Sequence, residues 1–169
     1  MLGSLQSSFI FVWKTMIKER GYVLDSFHID PIVKNWVRNE DWPQIDQYFK
    51  DLLSPNGGLF HYLQKYLPFE RVETMLAVRD SSNDWEEDGI WHDDGSREFA
   101  ISLSLNENPE TIEGGVLGFR KKGEENFSEI PTPKFGEMIV FLSGIHGYEH
   151  KIHQVTKGRR VILVGWFSN

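Results

Sequence analysis

Side chains that can bind a metal ion are grouped in the second half of this 169-residue chain. His92, Asp93 and Asp94 are consecutive, and His150 and Arg160 follow much later. Two imidazoles and one carboxylate form the facial triad of non-haem Fe(II) centres, which leaves half of the coordination sphere open for a co-substrate and O2. The residue types and their spacing therefore predict an Fe(II) centre of the oxygen-activating kind.

Neighbouring strands would have to bring these ligands together. Successive side chains of a β-strand point to opposite faces, so His92 and Asp94 should share a face while Asp93 points away. The third ligand must then come from another strand, where His150 and His153 are both candidates. The odd spacing of these two histidines sends them to opposite faces, so only one of them can serve.

The second half of the chain has the pattern of a series of short strands. We predict strands over residues 70–80, 98–106, 115–121, 136–142, 150–155 and 160–167, separated by turn-rich pieces such as 106–109 and 143–144. A run of short strands with polar turns is typical of a sandwich or barrel, in which inward-facing residues converge on one cavity.

The strand over residues 98–106 alternates in side-chain size. One face carries Ala100, Ser102 and Ser104, and the other carries Phe99, Ile101, Leu103 and Leu105. In a barrel that encloses a ligand, small polar residues can line the cavity while large apolar residues pack outward beneath helices. The alternative is a half-exposed strand with its serines in water. We prefer the cavity, because the chain also provides helices that need a sheet to cover.

Those helices are predicted in the N-terminal part of the chain. An apolar stripe at helical spacing runs from Leu5 to Ile17, and Gly21 is its predicted stop. Further helices are predicted to begin near Pro31 and Pro43 and to cover residues 59–66. We expect one domain over residues 1–169, an α+β protein that is mainly β. Helices of residues 1–69 would cover one face of a β core formed by residues 70–169.

Composition indicates a compact protein without nucleic-acid or membrane partners. A hydrophobic content of 40% is enough for one core. The net charge of -7 disfavours a nucleic-acid or anionic membrane surface. The absence of cysteine excludes disulfides and cysteinyl metal sites. The apolar run 9–13 is too short for a signal peptide or a membrane span, so we expect a soluble, cytoplasmic protein.

Several segments together carry a family resemblance. They are His92-Asp93-Asp94, Gly114-Gly115-Val116-Leu117, Pro133-Lys134-Phe135-Gly136 leading into Met138-Ile139-Val140-Phe141, and His150-Lys151-Ile152 followed by Val155, Gly158, Arg160 and Trp166-Phe167. In order and spacing, residues 71–167 resemble the 2-oxoglutarate- and Fe(II)-dependent dioxygenases of the prolyl 4-hydroxylase group.

The resemblance implies a fold and a chemistry. The fold would be a double-stranded β-helix, or jelly roll, covered on one face by helices. The cofactors would be Fe(II), 2-oxoglutarate and O2, with ascorbate as an accessory reductant. The reaction would hydroxylate a carbon centre, either in a prolyl or other side chain of a protein or peptide or in a small molecule, and would release succinate and CO2.

Carried over residue by residue, the resemblance assigns His92, Asp94 and His150 to the metal. It assigns Arg160 to the distal carboxylate of 2-oxoglutarate, a task that suits the planar, permanently charged guanidinium. The family has an aliphatic residue two positions after its histidine ligand and a valine five positions after it. The chain meets that pattern only with His150, which is therefore favoured over His153.

The neighbouring Arg159 is the alternative to Arg160. Arg160 shares strand parity with Trp166, and the family keeps its arginine at this distance before the aromatic residue. In the family this aromatic lies near the iron pocket, so Trp166 is a candidate substrate residue. A buried tryptophan of a barrel also needs no function, and both interpretations stay open.

Four further residues are tentative site residues. Leu117 and Arg79 fall where the family lines its co-substrate or substrate cleft. Ser104 falls where some relatives present a tyrosine hydroxyl to the distal carboxylate, so this second anchor would be shortened or lost. The acidic segment 81–89 around Trp85 precedes the metal ligands, and it is either a mobile lid over the site or a solvated surface loop.

Two other functions compete with the hydroxylase. One is a catalytically inactive binding or sensing module of the same fold, which has no reason to keep the complete triad and Arg160. The other is a nucleic-acid demethylase. Members of that subclass carry Arg-x-Asn followed by a further arginine, whereas Arg160-Val161-Ile162 runs to the chain end without one.

Overall fold

The structure is a computed structural model that describes residues 15–82 and 89–169. Its strands are β1 (Tyr22–Ser26), β2 (Arg71–Asp80), β3 (Phe99–Ser104), β4 (Glu113–Gly114), β5 (Leu117–Lys121), β6 (Ser128–Ile130), β7 (Glu137–Leu142), β8 (Tyr148–Ile152), β9 (Val155–Lys157) and β10 (Arg159–Ser168). The helices are α1 (Ile32–Arg38), α2 (Trp42–Leu52) and α3 (Gly58–Leu63), and residues 15–20 are also helical.

The strands form two principal antiparallel sheets. The major sheet has the order β1-β7-β3-β10-β2, and the minor sheet has the order β6-β5-β8. A two-stranded ribbon pairs β4 with β9. Strands that are far apart in sequence are thus neighbours in the sheets, as β3 is between β7 and β10. This is the predicted double-stranded β-helix, and the fold prediction is confirmed.

The central strand β3 is buried on both faces, which explains its alternation. On the outer face, the ring of Phe99 stacks on Phe167 at 4.5 Å and meets Phe69 edge-on. On the inner face, Ser102 lines a cavity that also contains Arg160 and His150. The cavity interpretation is therefore correct for Ser102, whereas Ser104 is buried but does not line the cavity.

The helices begin and end close to their predicted positions. Pro31 directly precedes α1, and Pro43 lies in the first turn of α2. Pro at these positions loses no intrahelical hydrogen bond, because the first N–H groups of a helix have no partner within it. The α2 helix is amphipathic and buries Ile45 and Phe49. Most of the predicted stripe from Leu5 to Ile17 lies in residues 1–14, outside the described residues.

Two strand predictions were incomplete. The segment Tyr22–Ser26, expected within the helical cover, is strand β1 and pairs with β7 at one edge of the major sheet. Its pattern is weak because Leu24 is exposed and only Val23 is buried. The predicted strand 150–155 is split into β8 and β9, since the chain turns between them and the His153 N–H bonds to the Val116 carbonyl at 2.9 Å.

A buried carboxylate connects the helical layer to β1. Asp25 accepts hydrogen bonds from Tyr62 at 2.9 Å, from Lys65 at 2.6 Å and from Tyr66. Burial alone would raise the pKa of Asp25, but the hydrogen bonds from Lys65 and the two tyrosines together hold it below its ordinary value. In the described residues, no helix has the length and apolar character needed to span a membrane.

Candidate active site

Three potential metal ligands converge at the edge of the minor sheet. His92 forms an isolated antiparallel bridge with His150 of β8, through backbone hydrogen bonds of 2.9 and 2.8 Å. Asp94 Oδ1 lies 3.8 Å from His92 Nε2, and its Oδ2 lies 3.6 Å from His150 Nε2. One ligand atom from each residue lies within 4.8 Å of the others, which is close enough for a single ion.

Asp94 reaches this cluster through a turn rather than along a strand. Its φ of +58° is in the left-handed region, and the following Gly95 has φ +66°. The expectation that His92 and Asp94 share one face of a continuous strand was therefore wrong, because the strand geometry ends at the His92 bridge. Asp93 does point away, and its carboxylate accepts the Gly95 N–H at 3.0 Å and pairs with Lys122 at 2.6 Å.

The electrostatics of the cluster suit a divalent cation. Burial raises the pKa of Asp94, against the opposing charge of His92 and a hydrogen bond from the Trp166 side chain. Burial, reinforced by the charge of His92, lowers the pKa of His150 to about 3, so its imidazole is neutral and keeps a lone pair for a metal. Asp94 Oδ2 is buried and has no hydrogen-bond partner among the described residues. An ion bound here would satisfy that oxygen, and the donor set fits Fe(II).

The alternative histidine lies elsewhere. The ring of His153 stacks on Phe127 at 6.4 Å, and its Nε2 is 3.6 Å from a carboxylate oxygen of Glu129. His153 lies in the turn between β8 and β9, so the expected parity of one continuous strand does not apply to it. The structure thus brings His150, and not His153, to His92 and Asp94.

A cavity between the two sheets connects the metal ligands to Arg160. The major sheet contributes Met75, Arg79, Ser102, Val164 and Trp166, and the minor sheet contributes Leu117 and Ile152. Arg160 is only 2% exposed. Its Nε donates to Thr132 Oγ1 at 3.2 Å, and its Nη2 lies 3.4 Å from Ser102 Oγ. A buried guanidinium oriented in this way can bind an anion inside the cavity.

Two neighbouring residues set the position of Arg160. Gly115 has φ +65°, and a Cβ atom there would lie only 2.7 Å from Arg160 Cδ. A side chain at position 115 would clash with Arg160, which explains why this position holds glycine. Asn106 holds the next residue of β10, because its side chain accepts the Val161 N–H at 2.9 Å and donates to the Val161 carbonyl at 2.9 Å.

Ser104 does not serve as a second carboxylate anchor in this arrangement. Its hydroxyl donates to the Pro133 carbonyl at 2.6 Å and accepts from the Asn106 amide at 2.9 Å, so it braces the loop behind the cavity. Ser102 and Thr132 contact the arginine instead. Ser102 was within reach of sequence reasoning, since it shares the small face of β3, whereas Thr132 lies in a turn-rich segment with no recognisable signal.

The other tentative site residues are placed as follows. Leu117, Arg79 and Trp166 all line the cavity. Arg159 is partly exposed, pairs with Glu40 and lies over the Trp42 ring at 5.8 Å, so it points away from the cavity. Trp85 and most of the acidic segment 81–89 lie outside the described residues.

A residue that sequence reasoning missed lies directly behind Asp94. Arg97 donates to the Asp94 carbonyl at 3.0 Å and pairs with Glu73 at 2.7 Å. The sequence does not identify Arg97 as a site residue, because an arginine three positions after a ligand matches no metal-binding spacing.

Comparisons with known proteins agree with this geometry. Residues 78–168 match the sequence model of the 2OG-Fe(II) oxygenase superfamily. No curated protein matches the chain at a significant level. Among solved structures, the chain is similar to a prolyl-4-hydroxylase of Pseudomonas putida, with 18% identity, a TM-score of 0.59 and coverage of 95% of this chain and 94% of that one.

Two further structures have the same fold. A 2OG-Fe(II) oxygenase family oxidoreductase of Burkholderia pseudomallei has 13% identity and a TM-score of 0.67, over 94% of this chain and 89% of that one. A prolyl hydroxylase of Trichoplax adhaerens, in complex with a peptide of hypoxia inducible factor, has 14% identity and a TM-score of 0.62, over 99% and 93%. At such identities these likenesses establish the fold.

Proposed function

The chain belongs to the 2OG-Fe(II) oxygenase superfamily, and on this premise we propose that it hydroxylates a side-chain carbon, foremost that of a prolyl residue, in a peptide or protein. Its cofactors are Fe(II), 2-oxoglutarate and O2. The proposed substrate is supported by the likeness of the whole chain to prolyl hydroxylases, one of which binds a peptide.

The observation that carries the proposal is the single cavity that holds both His150 and Arg160. A triad without a nearby cation would bind a metal only, and a buried arginine without a triad would bind an anion only. Their presence in one cavity matches a co-substrate that ligates the iron at one end and carries a carboxylate at the other.

Each residue has a defined task in this reaction. His92, Asp94 and His150 would hold the iron, and bound Fe(II) supplies the activation of O2 that is coupled to oxidation of 2-oxoglutarate to succinate and CO2. Arg160 would bind the distal carboxylate, with its guanidinium oriented by Thr132 and Ser102.

The apolar cavity wall has a protective task. Leu117, Ile152 and Val164 line the cavity that also contains His150 and Arg160. Their side chains would exclude water from the co-substrate, which strengthens the carboxylate–guanidinium pair and protects reactive species from side reactions.

The first experiment tests the enzyme class without a known substrate. Fe(II) and 2-oxoglutarate are titrated into the protein anaerobically, and O2 is then admitted. We expect a metal-to-ligand charge-transfer band on addition of 2-oxoglutarate and formation of succinate after O2. A protein that binds Fe(II) but gives neither signal would be a binding module, and the proposal would be wrong.

The second experiment tests the substrate. A library of proline-containing peptides is incubated with the complete system, and each peptide is analysed by mass spectrometry for the gain of one oxygen atom at proline. The His150→Ala variant is the matched control. Oxygenation of free small molecules, with no peptide modified, would contradict the peptide assignment while leaving the enzyme class intact.

A further inference from the structure

We propose that Arg97 is a positioning residue that fixes the backbone of Asp94 so that its carboxylate faces the metal. Arg97 does not belong to the triad, and its guanidinium points at the back of Asp94 rather than at the metal site. The inference rests on the proposed metal centre, and its test distinguishes failure of the centre from failure of the role of Arg97.

Asp94 has a backbone conformation that is unusual for a residue with a side chain. Only two non-glycine residues among those described have positive φ, and Asp94, at +58°, is one of them. An L-residue in this region is less stable than in an ordinary turn, although aspartate tolerates it better than most. The conformation therefore needs outside support, and the Nη1 atom of Arg97 provides it by donating to the Asp94 carbonyl at 3.0 Å.

Arg97 is itself held by contacts with the major sheet. Its Nη2 pairs with Glu73 Oε2 at 2.7 Å, and its guanidinium lies over the Trp166 ring at 5.4 Å. Glu73 and Trp166 are direct partners across β2 and β10. Arg97 thus contacts two strands of the major sheet and links them to the turn that carries Asp94.

The turn that carries Asp94 is held on two sides. On one side, Arg97 binds the Asp94 backbone carbonyl. On the other side of the turn, Asp93 fixes the Gly95 N–H at 3.0 Å. Both flanks of Asp94 are therefore held before any ion binds, and loss of supports of this kind typically weakens metal binding by about 10- to 100-fold.

Removal of Arg97 changes metal affinity in opposite directions, depending on whether Arg97 acts through its charge or by positioning Asp94. A cation beside a divalent metal site repels the metal, so an effect of charge alone means that removing Arg97 tightens metal binding. A positioning residue has the reverse effect, since its removal frees Asp94 to leave the site. The sign of the change in metal affinity therefore decides between them.

The experiment measures the binding of Co(II) alone by calorimetry and by the visible absorption of the bound ion. We expect Arg97→Gln to weaken Co(II) binding by about tenfold or more and to alter the ligand-field spectrum. Arg71→Gln is the matched control, because Arg71 lines the same surface groove as Asp94 and Arg97 and removal of its charge should leave Co(II) affinity equal or slightly tighter. The metal-free melting temperature of Arg97→Gln should stay within about 5 °C of the wild type.

Arg97→Lys is the second variant, and it replaces Arg97→Gln if the latter does not fold. Lysine keeps the charge but lacks the planar guanidinium that binds Glu73 and the Asp94 carbonyl at the same time. If Arg97 positions Asp94, Arg97→Lys should therefore also weaken Co(II) binding. Co(II) binding at wild-type strength or tighter in a folded Arg97 variant would overturn the proposal. A wild-type protein that does not bind Co(II) would instead refute the metal centre itself.

Discussion

The three triad side chains depend on the backbone in different ways. His92 and His150 are held by one another's main chain, since their bridge uses both N–H groups and both carbonyls. Asp94 depends on a left-handed turn that is supported from outside. At the residue scale, ligand identity is therefore testable one side chain at a time, with His153 as a nearby control.

We predict that His92→Ala, Asp94→Ala and His150→Ala each abolish tight Fe(II) binding, because each removes one of the three ligands proposed here. His153→Ala should leave Fe(II) affinity within about twofold of the wild type, because its ring stacks on Phe127 outside the cluster. Anaerobic Fe(II) titration provides the measurement. Loss of binding in the His153 variant, with retention in the His150 variant, would reverse the ligand assignment.

A second residue-scale prediction concerns the co-substrate. Arg160→Ala should weaken 2-oxoglutarate binding by about 2 to 4 kcal/mol, because it leaves a carboxylate desolvated in the cavity without its partner. Arg159→Ala should change the binding free energy by less than about 1 kcal/mol, because Arg159 pairs with Glu40 at the surface. The charge-transfer band gives both affinities, and equal effects at the two positions would show that the wrong arginine was chosen.

At the element scale, the turn that leads into β5 controls how close the chain approaches Arg160. Gly115→Ala should displace the Arg160 side chain and weaken 2-oxoglutarate binding about tenfold, in addition to straining a backbone with φ +65°. Gly123→Ala is the matched control, since Gly123 has φ +80° and no atom of the described residues lies within 4 Å of its Cβ position. Both variants should lose about 1 kcal/mol of stability. If they also lost 2-oxoglutarate affinity equally, close approach would not be the reason for Gly115.

The sequence predicted the long elements better than the turns. The strands β2, β3 and β10 and the helix α2 have clear periodicity, because each buries a continuous face. The strand β1 has one fully buried residue and no such pattern.

The same contrast applies to the site. Residue types and family spacing led to His150 and Arg160, whereas Thr132 and Arg97 act through contacts that only the folded turns create. The alternation of side chains along a strand also failed to place Asp94, because a residue in the left-handed region is not part of a strand.

At the scale of the whole molecule, Asp25 couples the helical layer to the major sheet, and its pKa predicts a pH dependence. Because its folded pKa lies below its ordinary value of 3.8, its contribution to stability is complete above 3.8 and is lost as the pH falls through the folded pKa. Asp25→Asn should cost about 2 kcal/mol at neutral pH, and the difference from the wild type should shrink in acid.

Urea unfolding across a pH series measures this difference. Asp46→Asn, which removes an exposed pair with Lys50, is the control and should cost less than about 0.5 kcal/mol at any pH. A difference between Asp25→Asn and the wild type that persists unchanged below the folded pKa would mean that the charge of Asp25 does not stabilise the fold.

The two triad histidines lie at the edge of the minor sheet, whereas Arg160 belongs to the major sheet. A molecule of 2-oxoglutarate that binds iron at one end and Arg160 at the other would therefore link the two sheets. By mass action, a higher concentration of 2-oxoglutarate would then lower the population of the unfolded protein and slow its degradation by proteases. The enzyme's lifetime, as well as its rate, would follow the metabolic state of its surroundings.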